Sequence, residues 1–256
     1  MSMKLASYGL TDVGRKRTHN EDSFLMNDDL SLFVVADGMG GHSGGEFASR
    51  MSIDTIEEVI KNITSDPEAT VISGVNTVDA DFGDRLRYAI EVASGKIYDQ
   101  SLYDQALKGM GTTTVAAIFH DNQLYIANVG DSRAYLLHAN KIKQITIDHS
   151  LVTEQIKAGL LNENDARKHK LKNIITRSVG YQEQVETDLK KLDLHLGDKL
   201  LLCTDGLSNM VNDQEIERIV VNNSVKEACK KLIDSANEHG GEDNITVVLI
   251  EVLDLA

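Results

Sequence analysis

Five aspartates stand at the ends of short apolar segments, and their carboxylates are the side chains best placed for chemistry. Asp37 follows LFVVA and Asp205 follows LLLCT, and a glycine comes directly after each. Asp131 follows LYIANVG, whereas Asp22 precedes SFLMN and Asp243 precedes NITVVLIEV. If these ends converge, the carboxylates share a small volume, where like charges raise one another's pKa. A bound divalent cation relieves that repulsion, so the pattern predicts a metal site.

The predicted ligands are oxygen atoms, because no cysteine pair or closely spaced histidine pair accompanies these aspartates. Hard oxygen ligands suit Mg²⁺ or Mn²⁺ and argue against a structural zinc site. An alternative is that each aspartate is a turn residue, since Asp-Gly is a common hairpin signal. The chain has only two Asp-Gly dipeptides, both after strongly apolar segments. Their coincidence with Asp131 and Asp243 favours the metal site.

The glycine-rich segment DGMGGHSGGE departs from the known phosphate-binding loops. A P-loop requires a lysine that is absent here, and Ser43 stands where the third glycine of a dinucleotide fingerprint belongs. The segment therefore does not predict a nucleotide-binding fold. Its glycines instead allow the backbone carbonyl of Gly38 to approach a cation closely.

Short β-branched or apolar segments predict the strands that carry the aspartates. Residues 120–123 form a turn signal between two of them and predict a hairpin. The strands cluster together and the long helices form separate blocks, which predicts an α+β protein with mostly antiparallel sheets. The predicted strands are 31–36, 113–119, 124–129, 133–138, 199–203 and 245–252.

Apolar residues at spacings of three and four predict three helices. They lie at about 45–63, around 86–97 and around 225–236. Cys229 is on the apolar stripe of the third helix, so we expect it to pack in the core. Residues 63–83, which include the only proline, Pro67, are expected to be an interhelical loop and not a domain boundary.

Composition excludes several classes of protein. The chain has 256 residues with 26 Lys and Arg against 40 Asp and Glu, a net charge of −14. This charge argues against a general binder of nucleic acid or anionic membranes. No apolar run approaches the ~20 residues of a membrane helix, and no secretion signal is recognisable. Two cysteines cannot form a disulfide framework. We therefore expect one cytoplasmic domain, 1–256.

Seven motifs, in order, identify the chain as similar to a known family. It resembles the bacterial type of the metal-dependent type-2C (PPM) serine/threonine protein phosphatases. The resemblance implies an αββα sandwich, in which helices flank two central, mostly antiparallel β-sheets, with a flap at about 149–180. The motifs are RTHNED, VADGMGGH, GTTTV, NVGDSRAY, ITRSVG, CTDGL and EDNITVV.

The resemblance also implies a centre of two Mn²⁺ or Mg²⁺ ions. Asp37 would bridge both ions as the central catalytic residue, and the carbonyl of Gly38 would bind one of them. Asp205 and Asp243 would complete the coordination of the other ion. The shared water would lose a proton and attack phosphorus in line, without a covalent intermediate.

Four further residues receive roles from the same resemblance. Asp22, with Glu21, would hold metal-bound waters, and Asp131 with Asp205 would form a weaker third metal site. Arg17 would bind the substrate phosphate through its planar guanidinium. Without the NED motif that follows it, Arg17 would be better interpreted as part of the solvated charged run GRKR.

The proton donor for the leaving group is left open by the sequence. Eukaryotic members have a histidine directly after Asp-Gly, where this chain has Met39. His42 is interpreted as a surface or ligand-supporting residue and His149 as a residue that orders a loop, so neither is given a catalytic role. A metal-bound water could protonate the leaving alkoxide instead.

The implied activity is hydrolysis of phosphoserine and phosphothreonine in proteins, as part of kinase signalling. The partners would be substrates of a serine/threonine kinase, with no nucleic acid or membrane, and the chain would be a monomer. Two alternatives are a catalytically silent binding module on the same fold and a hydrolase of small phosphate esters or phosphodiesters. A silent module would normally lack metal aspartates, whereas all the expected ones are present here.

Overall fold

Two large antiparallel sheets form the centre of the protein in the computed structural model, which describes residues 3–40, 44–66, 71–72, 75–76, 80–162, 165 and 169–255. His42, Ser43 and Pro67, which the sequence analysis named, lie outside these residues. The strands are β1 (Lys4–Asp12), β2 (Asp22–Asn27), β3 (Leu32–Met39), β4 (Val71–Ile72), β5 (Val75–Asn76), β6 (Gly111–Thr112), β7 (Thr114–His120), β8 (Gln123–Val129), β9 (Arg133–His138), β10 (Lys141–Gln144), β11 (Asp188–Asp193), β12 (Lys199–Cys203) and β13 (Ile245–Asp254).

Helices cover the outer faces of both sheets. Their bounds are α1 (Gly44–Ser65), α2 (Phe82–Tyr103), α3 (Leu151–Lys157), α4 (Asp205–Ser208), α5 (Asp213–Val221) and α6 (Val225–Glu238), with a 3₁₀ turn at Gln105–Leu107. Helices α2, α5 and α6 begin at residues whose side chains cap the first turn. Ser224, for example, forms a capping box with Glu227 at the start of α6.

The first sheet has the strand order β1-β13-β12-β9-β10, and the second has β11-β8-β7-β3-β2 with β6 paired to β3. All of these pairs are antiparallel, so the end of one strand and the start of its neighbour meet at the same edge. The end of β12 and the starts of β9 and β13 therefore share one edge, as do the end of β3 and the start of β2. These two edges carry the predicted metal aspartates.

Three apolar layers hold the sheets and helices together. The layer between the two sheets contains fully buried side chains from both, such as Phe33 and Val35 against Leu202 and Val248. A second layer lies between α1, α2 and the β2–β3 sheet, and a third lies between α5, α6 and the other sheet. This four-layer arrangement confirms the predicted α+β class and the αββα sandwich.

Most predicted elements are confirmed, with shifted ends. The strands at 133–138 and 199–203 agree residue for residue, and the 120–123 hairpin has positive φ angles at Asp121 and Asn122, as a primed turn requires. The prediction for 63–83 was incomplete, because α1 continues to Ser65 and the segment contains the small β4–β5 hairpin. Outside that segment, strands β1, β6, β10 and β11 and helices α3, α4 and α5 were not predicted. Cys229 is fully buried, as expected.

No described helix combines the length and the apolar composition needed to cross a membrane.

Truncation of Leu202 to alanine tests the layer between the sheets. The Leu202 side chain is fully buried, so we expect Leu202→Ala to lower the free energy of unfolding by about 2–5 kcal/mol. Leu102 is 60% exposed at the end of α2, and Leu102→Ala should change this free energy by less than ~0.5 kcal/mol. Urea unfolding measures both, and equal effects would contradict the assigned core.

Candidate metal centre

A pocket of about 450 Å³ opens where the aspartate-bearing edges of the two sheets meet. It brings together all the predicted site residues except Asp22, which lies on the strand beside Asp37. Its lining includes the predicted residues Arg17, Glu21, Asp37, Gly38, Asp131, Asp205 and Asp243, together with Thr18, His19, Met39, Gly40, Thr113, Asn173 and Ile175. The predicted convergence of carboxylates is thus present in the fold.

Asp22 and Asp37 face each other directly across the β2–β3 pair. Like charges in this relation are unfavourable. One carboxylate oxygen of Asp22, Oδ2, accepts hydrogen bonds from the hydroxyls of Thr204 (2.9 Å) and Thr246 (2.6 Å). The other oxygen, Oδ1, is buried without a partner among the described residues. Burial is the main cause that raises the pKa of Asp22 to about 7, although the two hydroxyls lower it.

The backbone of Asp37 is fixed from both sides. Its amide donates to Thr113 Oγ1 at 3.0 Å, and its carbonyl accepts from the Thr113 amide and the Thr112 hydroxyl, each at 2.8 Å. Asp37 was expected to close its strand, but β3 continues to Met39 because Gly38 and Met39 pair with β6. Burial, followed by the charges of Asp22 and Asp205, raises the pKa of Asp37 well above its ordinary value.

Asp205 and Asp131 bring two more carboxylates from the ends of strands in the two sheets. Asp205 is the first residue of α4, directly beyond β12, and its Oδ1 is buried without a partner in the described part of the chain. Burial and then Asp243 raise its pKa to about 6. Asp131 follows β8, and burial together with Asp205 raises its pKa to about 8.

Asp243 lies in the loop before β13 and pairs with Arg17 at the mouth of the pocket. Arg17 Nη2 donates to Asp243 Oδ2 at 2.7 Å, and the Arg17 side chain is half exposed. The other oxygen, Oδ1, accepts from the Asn244 amide at 2.8 Å. Arg17 is therefore a pocket residue and not simply part of a solvated charged run.

The two Asp-Gly dipeptides are not turns in this fold. Gly38 is in β3 and Gly206 is in α4, and neither has a positive φ. A Cβ on Gly38 would lie 2.0 Å from the Gly45 carbonyl oxygen, and one on Gly206 would lie 1.9 Å from the Asn244 carbonyl oxygen. Both glycines are required by close backbone approach beside a carboxylate, so the hairpin-turn alternative was wrong.

Asn244 connects the segment that carries Arg17 and Glu21 to the loop that carries Asp243. Its Oδ1 accepts from the Glu21 amide at 2.8 Å, and its Nδ2 donates to the carbonyls of Val13 (3.0 Å) and His19 (2.9 Å). Glu21 lines the pocket, and its pKa is raised chiefly by burial. Asn244 was not predicted from the sequence as a supporting residue, although the motif EDNITVV contains it.

Three threonines that support Asp22 and Asp37 were also missed: Thr204 and Thr246 donate to the Asp22 carboxylate, and Thr113 accepts from the Asp37 amide. Each belongs to or adjoins a recognised motif, which was the available signal. Thr113 Oγ1 lies 2.7 Å from Ser132 Oγ while it accepts from the Asp37 amide. Thr204 and Thr246 are fully buried, and a buried hydroxyl beside a strand end is the kind of residue that orients a carboxylate.

The predicted flap contributes to both the rim and the support of the pocket. Asn173 and Ile175 line it. His149 Nδ1 accepts from the Gly130 amide at 3.0 Å, next to Asp131, and the His149 amide donates to the Gly130 carbonyl at 2.9 Å. The interpretation of His149 as a residue that orders a loop is confirmed. Its pKa is lowered, mainly by burial.

The chemistry of this donor set fits hard divalent cations. Buried oxygens without partners at Asp22 and Asp205, and raised pKa values for four aspartates, show that the charge of the pocket is not neutralised by the described residues. Divalent cations with oxygen ligands, such as Mg²⁺ or Mn²⁺, would restore the balance. Met39 and the exposed His19 line the same pocket, and His19 was not singled out by the sequence analysis.

Comparison with known proteins places this chain in a family. A family model described as protein phosphatase 2C matches residues 6–245. The serine/threonine phosphatase stp of Listeria welshimeri is 42% identical over 245 residues, which cover 94% of this chain and 93% of that protein.

Two solved structures have the same fold. The Mycobacterium tuberculosis phosphatase PstP/Ppp superposes with a TM-score of 0.86 at 33% identity and covers 97% of this chain and 99% of its own. The catalytic domain of the phosphatase PstP in complex with two manganese ions has a TM-score of 0.85 at 32% identity, over 99% and 100% of the respective chains.

The carboxylate cluster predicts how stability depends on pH in the chelator-treated protein. The pKa values of Asp22, Asp131 and Asp205 are higher in the folded chain than in an unfolded one, so the folded state binds more protons. The free energy of unfolding should therefore fall as pH rises from about 4 to about 8, by ~2 kcal/mol or more. Urea unfolding at several pH values measures this.

Two variants control this experiment. Asp131→Asn removes one carboxyl group with a raised pKa, so the free energy of unfolding should fall less steeply with pH. Asp29→Asn, at an exposed aspartate between β2 and β3, should leave the pH dependence unchanged. Addition of Mg²⁺ should reduce the fall, because the cation binds the ionised carboxylates. A wild-type profile that rises over this range would contradict the cluster.

Proposed function

The chain belongs to the protein phosphatase 2C family and is a serine/threonine phosphatase, and we propose that its carboxylate pocket hydrolyses phosphoserine and phosphothreonine in proteins with two divalent cations, Mn²⁺ or Mg²⁺. The observation that carries this proposal is the meeting of Asp37, Asp205 and Asp243 from two sheets in one pocket with Arg17 at its mouth. A third, weaker ion would be held by Asp131 and Asp205.

The residues divide into those that would hold the cations and those that would support them. We propose that Asp37 is shared by two ions, that the Gly38 carbonyl serves one, and that Asp205 and Asp243 serve the other. Asp22 and Glu21 would orient waters around the ions. When bound, the ions lower the pKa of a coordinated water and offset charge on the phosphoryl oxygens.

Arg17 would position the substrate. Its guanidinium is the cationic group of the pocket lining that can form two parallel hydrogen bonds to a phosphate. Its hydrogen bond to Asp243 aims it into the pocket. The half-exposed side chain can turn towards a phosphoryl group that enters from solvent, with little loss of buried contact.

Attack by water without a covalent intermediate is supported by the state of three side chains that could act as nucleophiles. Thr113 lines the pocket, but its hydroxyl is engaged with Ser132 and the Asp37 amide. Cys203 and Cys229 are both buried, and burial raises the pKa of each thiol to about 12. None of these three groups is a ready nucleophile near neutral pH.

We propose a single domain, 1–256, with a flap at about 149–180 that borders the substrate. The substrates would be proteins phosphorylated by a serine/threonine kinase, and the chain would act as a monomer in the cytoplasm, without nucleic acid or membrane. The unpaired cysteines support a reducing compartment.

Replacement of Asp37 tests the centre directly. We expect Asp37→Asn to lower the rate of phosphothreonine-peptide hydrolysis with Mn²⁺ by at least ~100-fold, because the shared carboxylate is lost. Phosphate release measures the rate, and circular dichroism checks that the variant is folded. Asp29→Asn is the matched control and should keep wild-type activity.

Two outcomes would redirect the assignment. If wild type and Asp37→Asn hydrolyse the peptide equally slowly, the chain is a binding module and not an enzyme. A phosphodiester assayed beside the peptide tests the alternative of small-ester hydrolysis. We expect the monoester to be strongly preferred, and equal rates would contradict a protein phosphatase.

Replacement of Arg17 separates phosphate binding from chemistry. Arg17→Ala should raise KM by about 10-fold or more and change kcat less, because the guanidinium binds phosphate in the ground state as well as in the transition state. Arg17→Lys should recover only part of the loss, since an ammonium lacks the planar fork. Arg50→Ala, at an exposed arginine on α1, is the control for loss of positive charge.

A further inference from the structure

A second group of potential metal ligands lies at the other end of the β9–β12–β13 sheet. His138 ends β9, and His195 and Asp198 flank the turn that leads into β12. The carboxylate pocket adjoins the beginning of β9 and the end of β12, so the length of these strands, roughly 15–20 Å, separates the two places. We call this group the far-end cluster; it consists of His138, His195 and Asp198.

One ligand atom from each of the three side chains of the far-end cluster lies within 4.8 Å of the others. His138 Nδ1 is 2.8 Å from Asp198 Oδ1, and His195 Nδ1 is 3.6 Å from Asp198 Oδ2. The two imidazole rings are 4.7 Å apart between centroids. In a tetrahedral site with bonds of ~2 Å, neighbouring ligand atoms are ~3.3 Å apart. The exposed rings therefore need only small rotations to share one ion.

Two turns hold the three residues in place. The amide of Asp198 donates to the carbonyl of His195 at 3.1 Å, and Gly197 has a φ of +82°, which a glycine tolerates without strain. The His195 amide also donates to Asp198 Oδ2 at 2.9 Å. Val252 on β13 accepts from the Gly197 amide and donates to the Asp198 carbonyl, each at 2.9 Å. This turn is therefore anchored to the sheet.

His138 approaches from the other side on the β9–β10 hairpin. Ala139 and Asn140 at its tip both have positive φ angles, as a tight primed hairpin requires. Strands β9 and β12 pair directly, so the position of His138 beside Asp198 follows from the register of the sheet. The ligands thus come from two structured turns and not from loose chain.

The exposure of the three side chains suits an ion that binds from solvent. The Asp198 side chain is only 3% exposed, whereas those of His138 and His195 are 54% and 64% exposed. A buried carboxylate is unfavourable unless it is paired. Asp198 Oδ1 contacts the His138 imidazole, and Asp198 Oδ2 accepts from the His195 amide and lies near the His195 imidazole. An ion in this position would have one anionic ligand beneath it, two neutral ligands beside it and open positions filled by water.

We propose that the far-end cluster binds a transition-metal ion of the zinc class, independently of the catalytic cations. Imidazole nitrogens favour Zn²⁺, Co²⁺, Ni²⁺ or Cu²⁺ over Mg²⁺ and Mn²⁺. Two histidines and one aspartate with open positions form a common type of zinc ligand set. Each histidine binds as a neutral imidazole. When Nδ1 is the ligand, the ring proton is carried on Nε2.

Cobalt is the probe for this site, because Co²⁺ bound by imidazoles at low coordination number absorbs visible light far more strongly than six-coordinate Co²⁺ with oxygen ligands. The full chain is titrated with Co²⁺ in the presence of excess Mg²⁺, so that Mg²⁺ competes with Co²⁺ for the carboxylate pocket. We expect one strongly absorbing Co²⁺ per chain, which Zn²⁺ displaces.

Histidine variants decide the assignment. His138→Ala and His195→Ala should each weaken Co²⁺ and Zn²⁺ binding at this site by more than ~100-fold, since loss of a direct ligand exceeds the effect of losing a supporting residue. His120→Ala is the matched control. His120 also lies beside an aspartate, with Nε2 3.2 Å from Asp121 Oδ2, but it belongs to no such three-ligand group among the described residues.

The phosphatase rate, measured with Mg²⁺ alone, should be unchanged in all three variants and shows that each is folded. Absence of the strong absorption in wild type would overturn the proposal. It would also be overturned if His138→Ala and His195→Ala kept the absorption, or if His120→Ala lost it. Because this cluster lies apart from the carboxylate pocket, none of these results depends on the proposed catalytic mechanism.

Discussion

Repulsion between buried carboxylates is the constraint on which this structure depends. Asp22 and Asp37 face each other on paired strands, and Asp131 and Asp205 add further negative charge nearby. Such a group is unfavourable in a folded chain unless hydrogen bonds and cations compensate. Only some of these carboxylate oxygens accept hydrogen bonds from the described residues. In Asp22, for example, Oδ2 accepts from two threonine hydroxyls, whereas Oδ1 has no partner among them. The fold therefore tolerates an electrostatic strain here that the catalytic ions are expected to remove.

The two sheets meet at this point, and the strain is shared between them. Asp22 and Asp37 belong to one sheet, whereas Asp205 and Asp243 extend from the other. The hydroxyls of Thr204 and Thr246 donate across the interface to Asp22. The contact between the two sheets, which is apolar in the interior, therefore becomes polar next to the pocket. Beside these carboxylates, Gly38 and Gly206 allow the backbone to pass close to the carbonyls of Gly45 and Asn244. Positioning of the carboxylates is therefore a property of the whole sandwich.

The features that could be predicted from the sequence are those that a local pattern of residues determines. Apolar periodicity located α1, α2 and α6, and aspartates at strand ends located the pocket, because strand ends in antiparallel sheets meet at common edges. Strand β1 was missed since its side chains are only partly buried and alternate weakly. The supporting bonds of Asn244 and Thr204 join residues far apart in the chain, and no local pattern specifies such partners. The histidines of the far-end cluster, 57 residues apart in sequence, are brought together by strand pairing alone.

The ion pair between Arg17 and Asp243 has a consequence for how the two kinds of ligand bind. Under the proposed function Arg17 would bind the substrate phosphate and Asp243 would bind a cation, whereas in the structure these two side chains pair with each other. A cation bound to Asp243 would then weaken the ion pair with Arg17, and a phosphate bound to Arg17 would free Asp243. By thermodynamic reciprocity, the cation would raise the affinity for phosphate by the same factor by which phosphate would raise the affinity for the cation. Cooperation between metal and phosphoprotein would in this way be built into a single contact.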